Sequence, residues 1–192
     1  MDTNRDWTVL FIGGASGTGK SSVAYALGRY YGVNVLEVDD LSQAVEAVTT
    51  RAAYPALHLW ETGTDWMDIG VMGNVNWLMA VSTELAPAIR AVVENHLESD
   101  VPVIIEGDFV SPELVASFQD PRVAALYIQE SDRNQLLQNY QAREGGEPQH
   151  YRADISIEYG ARLSEACNRL GVPILEARPW DTVQDRAIAA LS

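Results

Sequence analysis

Residues 8–21, TVLFIGGASGTGKS, decide the fold that the sequence predicts. The first half is a nearly continuous apolar run, typical of a strand buried on both faces of a parallel sheet. A helical pattern begins at Lys20, so strand, loop and helix follow one another directly. The loop matches the phosphate-binding pattern G-x-x-x-x-G-K-[ST], with the residues Gly14, Ala15, Ser16, Gly17, Thr18, Gly19, Lys20 and Ser21.

Each part of this phosphate loop has a chemical reason. Glycines let successive backbone N–H groups point toward phosphate oxygens, and the helix that follows adds the positive end of its dipole. We expect Lys20 to contact the β- and γ-phosphates of a nucleotide and the Ser21 hydroxyl to join the Mg²⁺ shell. The sequence therefore predicts binding of ATP with Mg²⁺, although it does not separate ATP from GTP.

Composition excludes several classes of function. The 192 residues carry 13 basic and 27 acidic side chains, a formal net charge of −14. Such a chain is repelled by phosphate backbones and anionic lipids, so neither nucleic acid nor a membrane is an expected partner. Lys20 is the only lysine. A short-chain dehydrogenase would need a Tyr-x-x-x-Lys pair, and a regulatory GTPase an Asn-Lys-x-Asp element, so both are excluded.

The remaining pattern predicts one α/β domain over residues 1–192. Further β-branched runs occupy residues 33–39, 101–107, 122–129 and 172–177, with helical patterns between them. Such sheets bind ligands at the carboxyl ends of their strands. Cys167 is the only cysteine and the polar N-terminus has no apolar signal segment, so a cytoplasmic protein is expected.

Carboxylates follow two of the predicted strands. Asp39 and Asp40 end the second strand, where a carboxylate can orient or deprotonate an acceptor hydroxyl. We expect Asp39 in that role, with Asp40 as the alternative; either could instead cap a helix starting near Leu41. Glu106 and Asp108 end the third strand, and Glu106 after three apolar residues has the shape of a Walker B element that holds Mg²⁺.

With the phosphate loop, Asp39, and the run Val103–Gly107 followed by Pro112, the chain resembles the P-loop small-molecule kinases. It is most similar to 2-phosphoglycerate-kinase-like proteins, with gluconate kinase and chloramphenicol phosphotransferase as more distant relatives. The resemblance covers about residues 9–191. It implies the nucleoside-monophosphate-kinase fold, a three-layer α/β sandwich around a five-stranded parallel sheet in the order 2-3-1-4-5, with a small lid.

The resemblance also implies which arginines contact the phosphates. The lid corresponds to about residues 131–152, a helix that Ser131 is expected to cap, followed by a glycine-rich hinge. Arg143, at the helix end, best matches the arginine that contacts the transferring phosphoryl group; Arg133 and then Arg152 are the alternatives. After the fifth strand, Arg178 or Trp180 is expected to cover the adenine.

The acceptor segment, about residues 51–77, is aromatic and acidic. It contains Trp60, Trp66 and Trp77 with three carboxylates, against a single Arg51. This composition suits a neutral or cationic acceptor better than a phosphate ester. The predicted function is therefore transfer of the γ-phosphoryl group of ATP to a hydroxyl of a small metabolite or antibiotic-like molecule, by a monomer or homodimer. The alternative is a nucleotide-binding ATPase or switch without such an acceptor.

Overall fold

The computed structural model of the protein describes residues 5–191. Residues 1–4 and 192 of the predicted domain lie outside the described residues. Five parallel strands form one sheet in the order 2-3-1-4-5, which confirms the predicted topology. In chain order the strands are β1 (Val9–Gly13), β2 (Asn34–Glu37), β3 (Val103–Gly107), β4 (Val123–Gln129) and β5 (Ile174–Glu176).

Helices cover both faces of the sheet, as the three-layer arrangement requires. Within residues 5–191, no helix combines the length and apolar character needed to cross a bilayer. The helices are α1 (Lys20–Tyr31), α2 (Val38–Val48), α3 (Gly70–Ser99), α4 (Pro112–Ala116), α5 (Arg133–Glu144), α6 (His150–Leu170) and α7 (Val183–Ala190).

The two faces of β1 supply two separate cores. Leu10 and Ile12 belong to the core beneath α1 and α7, whereas Val9 and Phe11 belong to the core beneath α3 and α6. Successive side chains of a strand point to opposite faces, so an uninterrupted apolar run is what a doubly covered strand needs. All four side chains are completely buried, each contributing about 1.5–3 kcal/mol relative to exposure.

The structure corrects two predicted boundaries. β2 ends at Glu37, and α2 follows at once, so Asp39 and Asp40 lie in the first turn of a helix rather than on a strand. β2 is an edge strand, paired only with β3. Two acidic side chains in the first turn interact favourably with the positive end of the helix dipole, so they stabilise a helix start at this point. The cap of α5 is Asp132, whose carboxylate accepts from the Asn134 backbone N–H at 2.8 Å, and not Ser131.

Helices α5 and α6 hold the phosphate loop from outside. The Tyr140 hydroxyl donates to the Ser16 carbonyl at 2.8 Å and lies 2.7 Å from the Ser156 hydroxyl. The Asn139 side-chain amide donates to the Gly17 carbonyl at 2.8 Å. Gly17 has φ of 82°, and a Cβ there would come within 2.7 Å of the Tyr140 ring. The loop therefore needs glycine at this position for both conformation and space.

Replacing Tyr140 with Phe tests this anchor. Tyr140 is fully buried, so the change keeps the ring and leaves its hydrogen-bond partners unpaired. We expect the free energy of unfolding in urea to fall by about 1–3 kcal/mol. The matched control is Tyr30→Phe, whose ring is 42% exposed and should change stability by less than about 0.5 kcal/mol. Equal stability of the two variants would contradict the anchor.

Candidate active site

The phosphate loop connects β1 to α1 and is shaped by its own hydrogen bonds. Thr18 is buried, and its hydroxyl donates to the Ala15 carbonyl at 3.0 Å. Gly19 has φ of 90° and precedes α1, so the N-terminus of that helix opens into the loop. Backbone N–H groups at such a helix start attract anions. The segment Gly14–Ser21, predicted to bind phosphate, thus ends at a helix N-terminus whose backbone N–H groups can bind an anion.

Lys20 forms a short ion pair at the end of the phosphate loop. Its Nζ lies 2.5 Å from Oδ1 of Asp108, directly after β3. Burial opposes the charge on Lys20, but Asp108, Glu106 and Asp39 outweigh it and raise the lysine pKa. The ammonium is therefore fully charged at neutral pH. From the sequence we assigned no role to Asp108. The signal that could have identified it is its position as a second acid directly after the third strand.

Glu106 offers the oxygen expected of a metal ligand. The residue is only 3% exposed, and its Oε2 has no hydrogen-bond partner. Burial raises the pKa of this carboxyl, while Lys20 and the Ser21 hydroxyl lower it. A buried, unpartnered carboxylate oxygen is costly unless a cation or water meets it. Glu106 and Ser21 thus fit a Mg²⁺ site, in agreement with the hard oxygen ligands that Mg²⁺ prefers.

Asp39 is the acid that reaches the acceptor side of the loop. It borders the same cavity as Ser16 and Asp108, whereas Asp40 does not line that cavity. Burial by the cavity walls raises the pKa of Asp39, and Asp108 raises it further, against an opposing effect of Lys20. A carboxylate with a raised pKa accepts a proton more readily. Of the two neighbours that the sequence left as alternatives, Asp39 is thus the one that lines this cavity.

A cavity of about 610 Å³, here called the acceptor cavity, lies between α2, α3 and α6. From the predicted segment 51–77 it is lined by aromatic and apolar side chains together with Asn74. The acids predicted there, together with Arg51, do not line it. The side chains that matter below are Asp39, Glu46, Trp60, Trp66, Trp77, Phe109 and Arg152.

The wall of the acceptor cavity is tied to α3 by hydrogen bonds. The Glu84 carboxylate accepts the backbone N–H groups of Ala56 and Leu57, both at 2.9 Å. The Trp77 indole donates to the Ala56 carbonyl at 2.9 Å, and its ring centroid lies 4.8 Å from that of Trp60. These bonds fix the aromatic side chains of an otherwise irregular segment.

The three candidate arginines lie in different places. Arg133 pairs with Asp154 at 2.5 Å. Arg143 lines a second cavity, which Lys20 also borders, and donates to Glu144. Arg152 also donates to Glu144, but its other nitrogen is 3.2 Å from the Ser16 hydroxyl. Arg152 therefore touches the phosphate loop, although the sequence ranked it last.

The carboxylate of Glu144, at the end of α5, holds two of these arginines. Hydrogen bonds from Gln149, Arg143 and Arg152 lower the pKa of Glu144 to about 2. The Arg152 guanidinium also lies 4.5 Å from the centroid of the Tyr140 ring. Cations over an aromatic face are attracted by its negative charge distribution. Arg152 is thus fixed from three sides, next to both the phosphate loop and the acceptor cavity.

The second cavity, of about 520 Å³, lies on the other side of the phosphate loop and is called the nucleotide cleft. Arg178 borders it and donates to Glu130 at 3.2 Å. The Trp180 ring packs directly against Gly19. A Cβ atom added to Gly19 would come within 2.5 Å of that ring. Both residues predicted to cover the adenine are therefore beside this cleft.

Comparison with known proteins gives relatives of one kind. No protein-family model matches the chain. It is 22% identical to a 2-phosphoglycerate kinase of Methanopyrus kandleri over 204 residues, covering 96% of this chain and 60% of that protein. It is 24% identical to a 2-phosphoglycerate kinase of Methanothermobacter thermautotrophicus, covering 66% of this chain and 44% of that protein. The chain thus spans about half the length of these curated relatives.

Solved structures share the fold. A gluconokinase from Sinorhizobium meliloti superposes with a TM-score of 0.56 at 17% identity, covering 98% of this chain and 93% of that one. A shikimate kinase from Acinetobacter baumannii in complex with shikimate gives 0.55 at 13%, covering 96% and 91%. The chain is similar to P-loop small-molecule kinases. The resemblance predicted from the sequence is confirmed at that level.

The buried carboxyl of Glu106 predicts a pH-dependent stability. Its pKa is raised in the folded protein, so the folded state binds more protons than the unfolded one between about pH 4.5 and the raised value. Stability is therefore lost as pH rises through that window. Without Mg²⁺, Glu106→Gln should melt at a higher temperature than the parent protein at pH 7.5, and the difference should vanish below pH 4.5.

Thermal melts across pH measure this difference directly. The matched control is Glu98→Gln, at an exposed position of α3, which should follow the parent protein at every pH. Addition of Mg²⁺ with a nucleotide should stabilise the parent protein more than Glu106→Gln. A Glu106→Gln melt that parallels the parent protein at all pH values would exclude a charged, buried Glu106.

Proposed function

We propose that the protein is an ATP-dependent phosphotransferase that acts on a hydroxyl group of a small molecule. The observation that carries this proposal is the position of the phosphate loop between two cavities. Gly17, Gly19 and Lys20 border the nucleotide cleft, whereas Ser16 borders the acceptor cavity. A nucleotide switch needs only the first cavity. A second cavity of about 610 Å³, within the usual range for ligand sites, favours a kinase.

The residues suggest how transfer would proceed. The acceptor hydroxyl oxygen bonds to the γ-phosphorus of ATP, the bond from that phosphorus to the β–γ bridging oxygen breaks, and ADP leaves. Asp39 orients the hydroxyl and takes its proton, which its raised pKa favours. Lys20 neutralises phosphate charge. Mg²⁺, when bound by Ser21 and Glu106, supplies further positive charge at the phosphates.

Arg152 is the arginine that we assign to the transferring phosphoryl group. It is the candidate that touches both the phosphate loop and the acceptor cavity. Arg143 faces the nucleotide cleft, where we propose that it contacts the phosphates from the ATP side, and Arg178 with Trp180 binds the base. Arg133 is kept from the phosphates by its pairing with Asp154. Planar guanidinium groups suit the charge spread over phosphoryl oxygens.

Lys20→Met tests the phosphotransferase proposal. The variant keeps most of the apolar stem but removes the charge, so acceptor-dependent ADP release should fall by at least roughly 10²–10³-fold. The control is Arg169→Met, which removes a surface charge 59% exposed and paired with Glu113, and should retain full activity. Undiminished ADP release by folded Lys20→Met protein would refute the proposal.

The arginines are ranked by a second experiment. Arg152→Ala should reduce phosphoryl transfer by roughly 10³-fold or more, as loss of an arginine that meets transition-state charge does in related chemistry. Nucleotide affinity, measured by calorimetry, should change little, because the contact strengthens as charge develops. Arg133→Ala is the matched control and should be nearly as active as the parent protein. If Arg143→Ala is crippled and Arg152→Ala is not, the assignment passes to Arg143.

A further inference from the structure

The acceptor cavity has more negative than positive charge. Its lining residues carry three carboxylates, Asp39, Glu46 and Asp108, and one guanidinium, that of Arg152. Asp108 is paired with Lys20, and Arg152 is paired with Glu144. Of the charged groups in the described part of the chain, this leaves Asp39 and Glu46 as cavity carboxylates without an ion-pair partner. The Glu46 carboxylate accepts a long hydrogen bond of 3.5 Å from Gln43 and lies within 4.8 Å of a ring nitrogen of His58 and of the Glu61 carboxylate, which pair with each other.

Aromatic side chains line the same cavity as these two carboxylates. Trp60 and Trp77 meet edge to face, and the Phe109 ring is 6.1 Å from Trp77. His58, two residues before Trp60, holds this segment against α2, because its ring nitrogens contact Glu61 at 2.8 Å and Thr49 at 3.1 Å. Aromatic faces attract cations, most strongly when the cation is withdrawn from water. The carboxylates and indole rings of this cavity together form an environment suited to an ammonium group.

Helix α2 sets the distance between the two unpaired carboxylates. Asp39 is in its first turn next to the phosphate loop, and Glu46 follows seven residues later on the same face. At 1.5 Å per residue their backbones are about 10 Å apart along the helix. One end of the cavity is therefore placed for the reacting hydroxyl, and the other for a positive group several ångströms away.

We infer that the acceptor is a cationic amino alcohol, bound in the cavity that Trp60 and Trp77 line, with its hydroxyl at Asp39 and its ammonium group at Glu46. This inference rests on the proposed phosphotransferase function and names its substrate class. Ammonium binding at Glu46 relieves an unpaired carboxylate and supplies a charge-assisted hydrogen bond. An acidic acceptor would instead bring a second negative charge toward Glu46 and find no free cation among the lining residues.

We therefore do not extend to this chain the substrate for which the relatives are named. A 2-phosphoglycerate molecule carries a phosphate and a carboxylate, and each would need a cationic partner in the cavity. Arg152 is the one cation that lines it, and it lies at the phosphate loop rather than at the Glu46 end. This charge pattern is the reason why we do not assign to this chain the substrate of relatives with which it shares 22–24% identity.

The test uses acceptors that differ in one charged group. ADP release is measured with trans-4-aminocyclohexanol and cyclohexane-1,4-diol, with glucosamine and N-acetylglucosamine, with kanamycin A, and with the acids gluconate, shikimate and 2-phosphoglycerate. We expect kcat/KM for trans-4-aminocyclohexanol and for glucosamine to exceed that of their neutral partners by at least roughly tenfold, with the acids lowest. Glu46→Gln should raise KM for the amines by roughly 10–100-fold, leaving kcat and the KM of the neutral acceptors nearly unchanged.

Glu94→Gln, at an exposed position of α3, is the matched control for charge loss and should behave as the parent protein does. Binding of the same compounds is also measured by calorimetry with a non-hydrolysable ATP analogue present. Preference for an acid, equal use of amines and neutral partners, an unaltered KM in Glu46→Gln, or no amine-selective binding or turnover would each overturn the inference. Amine-selective binding that Glu46→Gln weakens, without transfer to any acceptor, would instead refute the proposed function and keep the ligand class.

Discussion

The contact of Lys20 with Asp108 is the interaction on which the site depends. It joins the start of α1 to the end of β3 across the carboxyl edge of the sheet, at 2.5 Å. Three carboxylates converge on this one ammonium group, and their repulsion is tolerable only while it stays charged. Under the proposed function, a nucleotide that draws Lys20 toward its phosphates would take this partner from Asp108. Nucleotide binding and the charge of the acceptor cavity would then be coupled through a single side chain.

The sequence predicts best what is encoded locally. The segment Gly14–Ser21 needs glycines, a lysine and a hydroxyl at fixed spacing, so the phosphate loop is visible without any knowledge of packing. The sheet order followed from the resemblance to P-loop kinases and is confirmed. The start of α2 was wrong, because strand and helix meet without a loop and an apolar run does not show where one ends. Asp39 nevertheless lies beside the phosphate loop, since the end of β2 and the start of α2 both lie at the carboxyl edge of the sheet.

Contacts between distant segments could not be predicted. Arg152 reaches Ser16 across 136 residues, and Asn139 reaches Gly17 across 122, only because α5 and α6 pack on the loop. The prediction of a lid over residues 131–152 treated this stretch as one unit. In the structure Tyr140 is fully buried against the phosphate loop, whereas Gly145 and Gly146 have open space around them. The glycine pair is the part of the stretch with the fewest restraints.

The wall that contains Glu46 and the tryptophans has a consequence for how such a protein diversifies. Most of this wall comes from one continuous piece of chain, residues 39–81, whereas the nucleotide cleft is built from the phosphate loop and residues 139–180. Under the proposed function, a substitution within residues 42–81, which leaves Asp39 in place, would change which molecule is recognised while the residues of the nucleotide cleft stay the same. The bonds that Glu84 accepts from Ala56 and Leu57 would hold such a changed wall on α3.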